Sequence, residues 1–418
     1  MKDVANAISL ALLLSANVVA VFAHGWLGTG SLFTGAYLVI LTGFLALFGR
    51  WRSLLFADFL WLCLCGLLGI SAILHSPAAS EAALLALALA AYPASRGLSG
   101  VMQKRSFLLI LIAMVGAGTV LTLLAFNTEA SRLHGRPLIF GQYDHALTQF
   151  ALLLALLLFA FACSAIRIER IAPLCVVPIA TFAAAQVRFV FIAIVGSLVL
   201  AAMIGPSERR RFGVIVGLVM SSVLVGALCR PDATAVYTKY AGESLGSLAT
   251  AQSLGSLATA QSPADGCALV NPNNSLDIRL QVYREALAAL PEAGAAGIGL
   301  GRFAERSCVK SQVHNTILQT ALELGIPAGL VLVSFIIVVW VPLSLAARQS
   351  RNALFALCVL SFAVLLSMVY GTLASSGFLF VALGYGVATL SRREASGFGI
   401  SSDLSRQARC PESAHALQ

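Results

Sequence analysis

Charged residues are scarce in this 418-residue sequence, and their scarcity excludes most water-soluble architectures. Only 11% of the residues are Asp, Glu, Lys or Arg, whereas 59% are hydrophobic. A soluble domain could not bury so much apolar side-chain surface. We therefore expect lipid, rather than water, to surround most of the chain.

The sequence also lacks the features of several other protein classes. It has no HExxH pattern, paired carboxylates or Cys/His cluster, so we expect no metal. The formal net charge is +9, but the basic residues are scattered between apolar runs, which argues against a nucleic-acid partner. His24, Gly25 and Trp26 follow the first apolar run in place of a small-residue cleavage site, so we interpret that run as a membrane span and not as a signal peptide.

Most of the nine cysteines have no disulfide pattern. Six lie in or at the ends of apolar runs and are expected to be core residues: Cys63, Cys65, Cys163, Cys175, Cys229 and Cys358. Cys267 and Cys308 fall together in a long polar segment. They would form a disulfide if that segment faces an oxidising compartment.

Apolar runs predict an all-α, polytopic integral membrane protein of about twelve transmembrane helices. The predicted spans are 4–22, 32–48, 54–74, 79–94, 107–126, 147–166, 172–185, 189–204, 212–228, 317–347, 353–370 and 377–390. They divide the chain into nine spans within 1–229, a large loop at 230–313, three spans within 314–390 and a tail at 391–418. Lys and Arg residues concentrate in alternate loops, which predicts that both termini are cytoplasmic and that the large loop lies on the opposite side.

The large loop has two parts of different composition. A nine-residue string from Ser244 to Gln252 is repeated from Ser253 to Gln261, and its small, uncharged residues predict a flexible insert over 244–262. Apolar residues at helical spacing then predict an interfacial helix over about 277–290. That helix carries Arg279 and Arg284.

A glycine-rich string follows the predicted helix, running from Gly297 to Gly301 and leading into Arg302. Backbone N–H groups of such a string can cradle a phosphate. The alternative is a tight turn packed against the membrane surface.

The most specific stretch of the chain begins at His314 and Asn315 and continues through Glu323-Leu-Gly-Ile-Pro327 into a span. A histidine at the outer mouth of a helix bundle can act as a general base, because it titrates near neutral pH. The alternative is an interfacial histidine bound to a headgroup or to water. Continuous helical spacing would place Glu323 nearly opposite His314, so we do not expect Glu323 to orient it.

Several arginines are candidates for binding an anion. Arg188 separates two short apolar runs at the outward side of the bundle, where an arginine marks a binding cavity or reaches lipid phosphates. Together with Arg279, Arg284 and Arg302 it could converge on one diphosphate. Asp58, by contrast, is expected to be a solvated residue at the edge of its span and receives no role.

Taken together, residues 277–329 resemble the bacterial O-antigen ligase and O-antigen polymerase superfamily. The resemblance lies in Arg284-Glu-Ala-Leu, Gly297-Ile-Gly-Leu-Gly, His314-Asn315 and Glu323-Leu-Gly-Ile-Pro327, and more weakly in the loop from Arg132 to Arg136. The sequence departs from the ligases at Ala328, where they typically have glycine, and in the repeat insert. These departures leave the subfamily open.

The resemblance implies a metal-independent, inverting glycosyltransferase of the bacterial inner membrane that needs no cofactor. Its donor would be a glycan on undecaprenyl diphosphate at the periplasmic face, and its acceptor would be lipid A core. The implied catalytic residues are His314 as base and Arg188 and Arg284 as stabilisers of the diphosphate. Arg279, Arg302, Asn315 and Arg136 are the implied substrate-binding residues.

Other functions remain open from sequence alone. A polymerase of the same superfamily would extend a lipid-linked chain instead of transferring it to lipid A core, and a protein-glycosylating relative is a further possibility. A twelve-span transporter of lipid-linked glycans or small molecules belongs to a different class. It would predict related halves and polar midplane residues, which the sequence does not display.

Overall fold

The computed structural model describes most of the helical part of the chain. The described residues are 12, 18–19, 23, 28, 36–43, 54–98, 105–127, 131–132, 136–140, 145–164, 168–185, 187–205, 209–231, 234–235, 238–239, 242, 275–369 and 376–407. The helices among them are α1 (Phe56–His75), α2 (Ala79–Arg96), α3 (Arg105–Asn127), α4 (His145–Cys163), α5 (Ile168–Ala184), α6 (Arg188–Ile204), α7 (Arg209–Leu228), α8 (Ser275–Ala293), α9 (Arg302–Arg306), α10 (Thr316–Glu323), α11 (Ile326–Ala347), α12 (Arg351–Ser367) and α13 (Gly377–Gln407). Strands β1 (Ser131–Arg132) and β2 (Arg136–Pro137) pair as a two-residue antiparallel hairpin.

Two helices form the centre of the bundle. In the apolar window of α4, 94% of the residues are buried, and this helix packs against α3, α5, α6 and α12. Nearly every residue of α12 is also buried, between α6, α11 and α13. Both sequences are apolar on all sides, as expected of helices enclosed by other helices.

The helices around this centre present apolar side chains outward. Among the described residues, α1, α3, α4, α7 and α11 are long and apolar enough to cross a membrane, and four shorter helices are also apolar. Ile73 is 82% exposed and Leu228 is 69% exposed. Because a large exposed apolar surface is unstable in water, this bundle belongs in lipid.

The predicted spans agree with the described helices in position but not always in continuity. Each predicted span from the third to the twelfth contains a helix, whereas the first two fall mostly outside the described residues, as does the repeat at 244–262. A total of twelve spans therefore stays a prediction. The single helix predicted over 317–347 is wrong, because the chain breaks it into α10 and α11.

Gly325 explains this break. Its φ is 102°, in the region that favours glycine, and a β-carbon there would collide with the carbonyl oxygen of Ala295. Ile326 N donates to the carbonyl of Gly294 at 3.0 Å instead of continuing α10. Pro327 then lies in the first turn of α11, a position that needs no N–H donor.

Asp58 is buried rather than solvated, which corrects the sequence interpretation. Its carboxylate accepts hydrogen bonds from Arg96 Nη2 at 2.8 Å and from Tyr92 Oη at 2.6 Å. Arg96 Nη1 also donates to Ser391 Oγ at 3.1 Å. This ion pair joins α1, α2 and α13, and a buried charge is tolerated because it is paired and hydrogen-bonded.

Residues 275–323 form an outer cap over one end of the bundle. The cap has its own small hydrophobic core, formed by Val282, Ala286, Ala293, Ile298, Phe303, Val313 and Leu322. Its first helix, α8, is slightly longer at both ends than the predicted helix over 277–290.

The cap touches the bundle at helix ends that share one side. Tyr283 Oη donates to the carbonyl of Met368 at the end of α12 at 2.9 Å, and Thr316 Oγ1 lies 2.9 Å from Ser376 Oγ before α13. Arg351 begins α12, whose other end contacts the cap, and Arg209 follows the end of α6, whose start contacts the cap through Phe189. The cap therefore lies on the side with few basic loop residues.

The cysteines agree only in part with the expected groups. The six in apolar runs are free thiols, and Cys163, Cys175 and Cys358 are buried, but Cys63 and Cys65 are half-buried and Cys229 is exposed, so the core assignment is wrong for Cys229. Cys308 is disulfide-bonded. Cys267 lies outside the described residues, so its pairing with Cys308 stays a prediction.

Candidate active site

His314 lies in the loop that leads into α10, not on the helix itself. Its φ of 53° is in the left-handed region, which turns the chain just before the helix N-cap at Asn315. Continuous helical spacing from His314 to Glu323 is therefore wrong, because the helix begins only at Thr316. Its imidazole is half-buried at the junction between the cap and the bundle.

The surroundings of His314 favour the neutral imidazole. Burial lowers its pKa from the usual value, and the nearby positive charge of Arg279 lowers that pKa further. Ser311 Oγ lies 3.3 Å from Nε2, within reach of a hydrogen bond. A neutral imidazole with one nitrogen close to a hydroxyl has the state required of a general base.

Arg279 connects His314 with the start of α6. Its guanidinium stacks over the ring of Phe189, 4.2 Å from the ring centroid. Phe189 directly follows Arg188, the exposed first residue of α6. The fold thus brings Arg279 and His314 of the cap to the start of α6, which begins at Arg188.

Arg284 occupies a different face of α8. Five residues separate it from Arg279, which corresponds to roughly 140° around a helix. Val282 and Ala286 form the buried face of α8, while Arg284 and Leu287 are exposed. The structure therefore groups Arg279, rather than Arg284, with His314.

The glycine string does not offer its N–H groups to a ligand. Gly297 N donates to Ala293 O at 2.8 Å, Ile298 N to Leu322 O at 2.9 Å, and Gly299 N to Glu323 O at 3.0 Å. Gly297, Gly299 and Gly301 have φ values of 78°, 99° and 77°. The string is a tight turn that holds the end of α10, and the phosphate-cradle interpretation is wrong.

The other predicted substrate-binding residues are dispersed. Asn315 is the N-cap of α10, and its side chain accepts from Leu318 N at 3.0 Å. Arg302 donates to the carbonyl of His75 at 2.7 Å, at the turn between α1 and α2. Arg136 lies in β2, where its backbone pairs with Arg132.

A buried polar chain runs the length of α10 and was not anticipated. Gln319 Nε2 donates to Gln312 Oε1 at 3.0 Å and to Glu323 Oε2 at 2.9 Å. Burial raises the pKa of Glu323 from 4.5 to about 7. The sequence signal was available, because Gln319 and Glu323 stand four residues apart on one face of a short amphipathic helix.

No group of three or more His, Cys, Asp or Glu side chains in the described part of the chain is arranged to hold a metal ion. The positively charged groups of the site are guanidiniums. Guanidiniums suit phosphate oxygens because of their planar, forked set of donors.

Comparison with known proteins bears on this region. Residues 173–333, from α5 to the first turns of α11, match the family described as O-antigen ligase. The match supports the resemblance to the O-antigen ligase superfamily that the motifs between Arg284 and Pro327 indicate. No curated protein matches the chain significantly.

The matched segment contains the site. Arg188, Arg279 and His314 all fall within it, whereas α1, α2, α12 and α13 fall outside it. Members of the matched family are glycosyltransferase-like enzymes.

Proposed function

We propose that the protein is an O-antigen ligase-like glycosyltransferase of the bacterial inner membrane. It moves a glycan from undecaprenyl diphosphate to lipid A core at the periplasmic face. The observation that supports this best is the grouping of Arg188, Arg279 and His314 at one end of a lipid-embedded bundle. A donor with a lipid tail can stay in the bilayer while its polar head reaches this site.

The proposed reaction is a single displacement at the anomeric carbon. The acceptor hydroxyl oxygen attacks the first sugar of the donor, and Nε2 or Nδ1 of His314 takes its proton. The new glycosidic bond forms as the bond between the anomeric carbon and the diphosphate oxygen breaks, with inversion. The electron pair leaves with the undecaprenyl diphosphate, which gains the negative charge.

Arginines stabilise the departing diphosphate in this mechanism. We assign this role to Arg279 and Arg188 and not to Arg284, because Arg284 lies on a different face of α8 from Arg279. The stacking of Arg279 on Phe189 holds the guanidinium beside the base. The loss of one such stabilising group typically slows an enzyme about 100- to 1,000-fold.

The test is glycan transfer in proteoliposomes that contain the full-length protein, undecaprenyl-diphosphate glycan and lipid A core. We expect His314→Ala and Arg279→Gln to abolish or strongly reduce transfer. Arg284→Gln is the matched control on the same helix and should keep most of the activity.

The acceptor separates ligase from polymerase. Transfer to core supports the ligase, whereas chain extension without core would show a polymerase. Activity like that of the wild type in His314→Ala would remove the proposed base. Equal losses in Arg279→Gln and Arg284→Gln would contradict the assignment of the diphosphate to Arg279.

A further inference from the structure

A polar cavity lies at the outer ends of α1 and α2, where α9 meets the turn between them. Its volume is about 470 Å³, within the range of roughly 300 to 1,000 Å³ that is typical of small-molecule sites. It is lined by Ser76, Pro77, Ala78, Glu81, Leu300, Gly301, Arg302, Glu305 and Arg306. None of the residues grouped with His314 lines it.

The charged groups of the cavity favour a neutral, hydroxyl-rich ligand. Two carboxylates, from Glu81 and Glu305, balance two guanidiniums, from Arg302 and Arg306. A diphosphate would be repelled by the carboxylates as much as it is attracted by the guanidiniums. Sugar hydroxyls both donate and accept hydrogen bonds, so they can use carboxylates and guanidiniums together.

The wall of the cavity is held in position from both sides. The bond from Arg302 to the carbonyl of His75 holds its guanidinium at the wall. A β-carbon on Gly301 would lie only 2.8 Å from Glu81 Oε2, so the missing side chain lets this carboxylate rest on the backbone. Behind Gly301 lies the buried carboxyl of Glu323.

The position of the cavity relative to His314 follows from α10. Glu323, whose carboxyl meets the backbone of Gly301 at the cavity wall, ends this eight-residue helix and His314 precedes it, so about one helix length, roughly 12 Å, separates His314 from the residue behind that wall. A glycan that reacts beside His314 would place its more distant sugar rings near the cavity.

We propose that this cavity is a glycan subsite that binds neutral sugar residues beyond the one that reacts. The inference rests on the proposed function, since it assumes a glycan at His314. The bound rings belong either to the donor glycan or to the acceptor, because both are hydroxyl-rich. Glu81 and Glu305 accept hydrogen bonds from the sugar hydroxyls.

The test is direct binding, which does not require activity. Full-length protein in detergent is titrated with two lipid-free probes, the core oligosaccharide and the O-antigen repeat oligosaccharide, and binding is followed by saturation-transfer NMR and calorimetry. We expect Glu81→Gln and Glu305→Gln each to weaken binding about tenfold, the order of effect of a hydrogen bond to a charged group. Arg284→Gln is the control, because Arg284 is exposed on α8 and does not line the cavity.

Each result of the binding experiment either supports or overturns the proposed subsite. The probe that binds in a carboxylate-dependent manner identifies the donor or the acceptor as the source. If the wild type binds neither probe, or if all variants bind equally, the subsite is overturned. His314→Ala should bind normally. Wild-type protein that binds a probe but transfers no glycan would defeat the proposed function and leave the subsite standing. Glu305 is exposed on α9, so its variant keeps the test valid if Glu81→Gln fails to fold.

Discussion

At the scale of single residues, function depends on how neighbours set the charge of two titratable groups. His314 is held neutral by burial and by Arg279. Glu323 is held partly protonated by burial at the other end of α10. Both effects lead to measurable pH dependences.

The acid limb of the pH profile should report His314. A general base is active when neutral, so transfer should fall as the pH drops through the lowered pKa of His314. Arg279→Gln removes a positive charge that lowers this pKa, so the limb should move to higher pH in the residual activity of that variant. Arg284→Gln should leave the limb in place. Identical limbs in the wild type and Arg279→Gln would contradict the coupling.

The buried carboxyl of Glu323 should make stability depend on pH. The pKa of Glu323 in the folded protein, about 7, lies above the usual value of 4.5. The contribution of this carboxyl to stability is therefore complete below pH 4.5 and is lost as the pH rises through 7. At high pH the free energy of unfolding is lower by about 3 kcal/mol for this reason. The glutamine side chain of Glu323→Gln is neutral at every pH. Raising the pH from 5 to 8 should therefore destabilise this variant less than it destabilises the wild type. Thermal unfolding in detergent at both values measures this, and a pH-independent difference would refute it.

At the scale of elements, the bundle is joined by a buried ion pair and the cap by a tight turn. Asp58 and Arg96 join α1, α2 and α13, with side chains that are 3% and 1% exposed. The glycine turn joins α8 to the end of α10 through backbone hydrogen bonds. The first restrains the bundle and the second positions the cap.

Breaking one partner of the ion pair should cost more than replacing both. Arg96→Met leaves the Asp58 carboxylate buried without its cation and should lower stability by about 3 to 5 kcal/mol. Adding Asp58→Asn removes that uncompensated charge and should recover much of the loss. Unfolding of the wild type, both single variants and the double variant in detergent gives the coupling. If the stability losses of the two single variants add up in the double variant, Asp58 and Arg96 are not energetically coupled.

At the scale of the whole molecule, orientation decides which compartment the site faces. We predict that the loop at 127–144 and the cap face the periplasm, and that the arginine-rich ends and both termini face the cytoplasm. A cysteine at Thr128 should react with a membrane-impermeant maleimide in intact spheroplasts, whereas one at Ser207 should react only after permeabilisation. Serine would replace the native cysteines, with glycan transfer as the control for folding. The reverse labelling pattern would place the site in the cytoplasm and exclude a periplasmic reaction.

Much of the fold could be predicted because it depends on local sequence. An apolar run long enough to cross a bilayer predicts a helix wherever its neighbours lie, so the helices from α1 to α7 and α12 match predicted spans, and α11 and α13 overlap them. His314 and the arginines were also found from local sequence, because they belong to short motifs. The break at Gly325 could not be predicted, because the close approach that excludes a β-carbon there involves Ala295, thirty residues earlier.

By itself, the sequence determined that the chain is an α-helical membrane protein and which few residues are able to carry charge or protons at its surface, since apolar length and residue chemistry are local properties. Only the tertiary structure decided that Arg279 rather than Arg284 accompanies His314, that Asp58 is buried against Arg96, and that the glycine N–H groups are already bonded. These outcomes depend on which helix faces meet and on which donors find acceptors across long sequence separations, and a linear pattern does not contain that information.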